Sequence, residues 1–100
     1  MNISDRFRAL VEDVRNLQTD SGDPKAERLL IRAEKELAHH EEGVGEIPQM
    51  RLEGELTPVL LKVHNLLDRA RLMFDEIGEE DRAGAVWEAE QKIYRLLNSL

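Results

Sequence analysis

Two dipeptides, Asp23-Pro24 and Thr57-Pro58, constrain this chain more than any other feature. Each sets an acid or a hydroxyl, the side chains that cap helix N-termini, before a proline. Proline is tolerated at the first helical position, where its missing N–H has no intrahelical partner anyway. The pairs therefore predict helix starts at Pro24 and Pro58. Hydrophobic periodicity extends the reading to four amphipathic helices. Ile3, Phe7, Leu10, Val14 and Leu17 recur at steps of four and three, so they share one face of a helix over about 4–19. Ala26, Leu29, Leu30, Ala33 and Leu37 do the same over about 24–42, with His40 in line and Gly43 as the expected C-cap. The stripe from Val59 through Leu60, Val63, Leu66, Leu67, Ala70, Met73 and Phe74 to Ile77 predicts the most buried helix, over about 58–77. Ala83, Val86, Ile93, Leu97 and Leu100 predict the fourth, over about 80–97.

Short connections after the first and third helices predict two antiparallel hairpins. The expected fold is an all-α four-helix bundle in a single domain, 1–100. A long connector, about 44–57, joins the hairpins. Within it, Met50-Arg51-Leu52-Glu53-Gly54-Glu55-Leu56 alternates apolar or glycine positions with charges. That is a period of two, which predicts an extended arm packed along the helices or paired with its copy in a dimer.

Composition narrows the function. Twenty-one acids against 14 bases give a net charge of −7, the wrong sign for a general nucleic-acid binder. Cysteine is absent, which excludes disulfides, thiolate metal sites and a cysteine nucleophile. No apolar run reaches membrane-spanning length and no signal-peptide core is present, so a cytoplasmic protein is expected.

Three histidines offer the only obvious chemistry. Successive helical residues point about 100° apart, so His39-His40-Glu41-Glu42 cannot converge on one ion. Glu36 and His39 form one Glu-x-x-His step, but no second step exists to complete a carboxylate-bridged metal bundle. No metal or cofactor is therefore expected. His39 with Glu42-Gly43 is similar in spacing to the His and Lys-Gly of histidine phosphotransfer domains, with an acid where those carry lysine. Arg32 and His39 resemble the conjugate arginine and histidine of HEPN-type nucleases, with Ala33 at the usual polar position. That resemblance implies a metal-independent ribonuclease using Arg32 and His39, with Glu36 beside them. A small-ligand or metal-binding bundle is the remaining alternative.

The leading expectation is a non-catalytic protein-interaction module, a small acidic adaptor or an inhibitor of a larger protein, such as one in a nucleic-acid-binding complex. Trp87 and Tyr94, seven apart, share a helix flank. Leu61 and Leu72 project from the face of their helix opposite its stripe. With Met50 and Leu52 of the arm, these are the expected partner-binding residues. The surplus of apolar positions, Ile31 included, makes a homodimer the expected state in preference to a monomer.

Overall fold

The structure, a computed structural model, describes residues 2–100. It is four helices packed against one another: α1 (Ile3–Leu17), α2 (Pro24–Ala38), α3 (Gln49–Glu76) and α4 (Glu80–Ser99), with a 3-10 turn at Val44–Glu46. α3 lies against both α2 and α4, while α1 lies against α2, α4 and the 3-10 turn. A 28-residue helix is about 42 Å long at 1.5 Å per residue. The molecule's long axis is 43 Å, so α3 sets its length.

Local chemistry accounts for most boundaries. The cap of α1 is Asn2, whose Oδ1 accepts from the Asp5 N–H at 2.8 Å and from the Ser4 hydroxyl at 2.9 Å. Asp23 caps α2 as expected, accepting from the Ala26 N–H at 3.1 Å, with Pro24 at the first position. α2 stops at Ala38, and Gly43 has φ −89, so it is not a left-handed C-cap. Gly78 does play that part, with φ +79 closing α3. The N–H of Glu79 then donates to the Phe74 carbonyl at 2.9 Å, the six-to-one bond of a glycine-terminated helix.

The connector is the main correction. Most of it is helix: α3 begins at Gln49, after Pro48, and Pro58 lies inside it. Among the described residues there is no strand. Leu52 and Leu56 are four apart, a spacing that satisfies period two and a helical stripe equally. The structure continues the stripe, and Leu52, Leu56 and Leu60 are all buried. Gly54 and Met50, the other members of the alternation, are exposed. Proline within a helix costs about 3 kcal/mol. Burying two leucines returns roughly 1.5–3 kcal/mol each, which matches or exceeds it. Both Pro58 and Gly54 are exposed, so the carbonyl deprived of its partner can turn to water.

The core draws Phe7, Leu10 and Val14 from α1, Leu30 and Leu37 from α2, Leu67 and Phe74 from α3, and Ile93 and Leu96 from α4. Ile77, expected in the α3 stripe, is half exposed, because the helix has ended before it. Two i,i+4 ion pairs form within α3, Arg51–Glu55 at 2.5 Å and Arg71–Asp75 at 3.4 Å. Glu36 and Lys92 reach other helices, to Lys62 at 2.9 Å and to Asp13 at 2.6 Å.

One end is knotted by Arg82. Its guanidinium donates to Glu27 Oε2 at 2.7 Å and to the Leu17 carbonyl, and lies 4.3 Å from the centroid of the Phe74 ring. Glu27 also accepts from the Thr19 N–H at 2.7 Å. Gly22 approaches so closely that a Cβ there would strike both the Glu27 carboxylate and the Arg82 guanidinium. Gly22→Ala is therefore expected to lower stability by about 1–3 kcal/mol in urea unfolding, the range for overpacking. An unchanged midpoint would show that the pair yields freely.

Candidate functional site on the α3–α4 face

The α4 stripe holds an acid. Val86, Glu90, Ile93 and Leu97 follow the core spacing, and Glu90 is only 3% exposed. An isolated carboxylate at such a position is unfavourable unless partnered. Its partners come from the flank of α3, where His64, Asp68 and Arg71 recur at steps of four and three.

Glu90 Oε1 lies 3.2 Å from His64 Nε2, and Oε2 lies 3.2 Å from Arg71 Nε. The arginine is near enough to attract the charge but is not aligned as a donor, so Oε2 has no hydrogen-bond partner. Arg71 spends its donors on Asp68, at 2.7 Å and 3.2 Å, and reaches Asp75 at 3.4 Å. Burial raises the Glu90 carboxyl to about 7, and the adjacent Asp68 adds to the effect by hydrogen bonding and charge, against the pull of Arg71. Asp68 itself is held below its ordinary value, chiefly by its hydrogen bond to Arg71. The two carboxyls thus divide the work: one stays ionised on the arginine, and the other takes up a proton near neutrality. A proton on Glu90 supplies the donor that a pair of bare carboxylates lacks. Oε2 is sealed from solvent, so a proton can reach it by exchange but a substrate cannot dock on it.

Exposed apolar side chains lie near the cluster along α3 and α4. Tyr94 packs on His64 with ring centroids 4.8 Å apart. Trp87 follows seven residues earlier on the same flank of α4. Leu61 and Leu72, on α3, sit three residues before His64 and one after Arg71. All four are about half exposed, at 46% for Tyr94, 51% for Trp87 and 48% for each leucine. These four expected partner-binding residues are thus exposed side chains of α3 and α4, the two helices that carry the cluster. Met50, at 92% exposed, lies eleven residues before Leu61 and so continues the same line along α3, nearer its start. Leu52 is a correction: at 8% exposed it belongs to the core and presents nothing to a partner.

The Arg32, Glu36 and His39 group lies elsewhere, on α2 and its C-cap. Arg32 and His39 are exposed. Glu36 is bonded to Lys62, which holds its carboxyl below the usual range, with smaller contributions from His39 and Arg32. Among the described residues no group of three or more histidines and acids could hold a metal ion, and no helix is long and apolar enough to cross a membrane. No protein-family model, curated protein or solved structure matches the chain.

Proposed function

We propose that this chain is a protein-interaction module, an adaptor or an inhibitor, that docks through the α3–α4 face of a bundle of two antiparallel hairpins. The observation that carries the reading is the exposure of four large apolar side chains on these two helices, Leu61, Leu72, Trp87 and Tyr94, each about half exposed. Tryptophan and tyrosine are enriched among the residues that dominate binding energy at interfaces. The polar floor beneath them gives such a face selectivity, since a partner must match it or leave charges unpaired. The net charge of −7 favours a basic partner, so binding should weaken as salt rises. A ribonuclease centred on Arg32 and His39 has less support, because Lys62 occupies the carboxylate between them.

Affinity capture from lysate of the source organism tests this. The wild-type chain is expected to retain a stoichiometric protein, or untagged copies of itself. Leu61→Glu with Trp87→Glu is expected to lose it at least about tenfold, in line with 1.4 kcal/mol or more per hot-spot residue. Ile31→Glu, on the exposed side of α2, should retain it. Equal capture by all three proteins would remove the face from consideration.

A further inference from the structure

We infer that a second site lies in the groove between α2 and α3, and that it binds a small molecule carrying several phosphate groups. Six residues line it: Lys25, Arg28, Leu29 and Arg32 from α2, and Arg69 and Met73 from α3. Four of the six are cations, and all four are exposed. Among the described residues, none of them has a carboxylate within salt-bridge distance, although acids outnumber bases 21 to 14 in the chain. The nearest acid in sequence on that flank, Glu36, is engaged by Lys62.

The arrangement opposes itself. Lys25, Arg28 and Arg32 are spaced three and four apart, so they stack as like charges along one helix face, which destabilises a helix by tenths of a kcal/mol per pair. Arg69 adds a fourth positive charge from across the groove. A bound polyanion removes that repulsion, and arginine forks suit phosphate oxygens. The floor is apolar, formed by Leu29 and Met73, and the groove encloses about 290 Å³. That volume is at the lower end for small-molecule sites. It holds a compact ligand that sets its phosphates on the cations and an apolar group on the floor. A long polyanion fits less well: beyond the groove it would meet a surface of net negative charge, and no aromatic side chain lines the groove to stack bases.

The test is thermal unfolding and titration calorimetry of the full chain with tripolyphosphate at low-millimolar concentration. A rise in midpoint of about 5 °C or more is expected when the site is filled. Sodium chloride at matched ionic strength should give a much smaller rise. Arg28→Gln with Arg32→Gln and Arg69→Gln should fold at least as stably as the wild type without ligand, because the repulsion is gone, and should lose the rise. A polyphosphate ester carrying a short alkyl group should bind more tightly than tripolyphosphate, since the alkyl group can use the apolar floor. No rise, or the same rise in the triple variant or with chloride, would overturn the site. Duplex DNA binding more tightly than either small ligand would overturn the small-molecule assignment in favour of a nucleic-acid surface. None of these outcomes bears on the α3–α4 face, which shares no residue with the groove.

Discussion

Raising the pH from about 5 to about 8 is expected to destabilise the folded chain by roughly 2–3 kcal/mol through Glu90 alone. The folded state holds the Glu90 proton up to about pH 7, whereas an unfolded glutamate releases it near its ordinary value. The folded chain therefore binds more protons across that window. Stability contributed by the neutral carboxyl is full below the unfolded value and is lost as the pH rises through about 7. The carboxylates that act in the opposite sense, Asp68, Glu34 and Glu36, are held low by Arg71, Gln18 and Lys62 respectively. Their contribution is present above the ordinary carboxylate range and is lost as the pH falls below it, so the two windows do not overlap. Urea unfolding at a series of pH values reads the slope directly. On the thermal scale the drop corresponds to about 10 °C or more.

Glu90→Gln isolates the residue. An amide has the shape of the neutral acid, donates towards Asp68 and keeps an acceptor for His64. The variant should match the wild type near pH 5 and exceed it by about 2 kcal/mol near pH 8, because it has no proton to lose. If both proteins lose stability in parallel as the pH rises, some other group is responsible and the buried pair is better solvated than its geometry indicates. The same titration changes the charge beneath the proposed docking face. A partner that brings a cation towards Asp68 and Glu90 would bind the ionised form in preference, and its affinity should rise over the interval in which the free chain loses stability.

Helix number and most helix limits were legible in the sequence because the information is local. Asp23-Pro24 caps α2 as read, Gly78 ends α3, and the stripes of α1 and α2 point inward. The segment 49–57 was misread because its signals are degenerate. Leu52 and Leu56 fit two periods, and Thr57-Pro58 has the look of a helix start. Only packing decides, since Leu56 is fully buried as part of a stripe continuing through Leu60. The exposure of Leu61, Leu72, Trp87 and Tyr94 was legible too, because they fall outside the stripes. The buried cluster around Glu90 was missed. The available signal was an acid at a core position, Glu90 between Val86 and Ile93, and a reading of apolar residues alone steps over it. No sequence pattern states that His64, Asp68 and Arg71 of a different helix converge there, because that depends on how α4 meets α3.

Arg82→Ala is expected to cost about 3 kcal/mol, the lower end of the range for breaking a buried ion pair. In a chain of this size that moves the urea midpoint by roughly 2 M. Three losses coincide. Glu27, 8% exposed, keeps only the Thr19 N–H as a partner for a charge it cannot move into water. The Leu17 carbonyl, at the end of α1, loses its donor. The Phe74 ring loses the guanidinium stacked on it. These contacts tie the start of α4 to the end of α1, the first turn of α2 and the last turn of α3, so the damage is not confined to one element. Arg82→Lys should rescue little. An ammonium is a point charge and cannot lie flat on the ring while bonding a carboxylate and a carbonyl in two directions. A double-mutant cycle with Glu27→Gln separates the charge pair from the rest: coupling of 1 kcal/mol or more is expected between neighbours that share a network. If Arg82→Ala loses less than about 0.5 kcal/mol, the contact behaves as an ordinary surface pair and the knot at this end is not what holds the four helices in register.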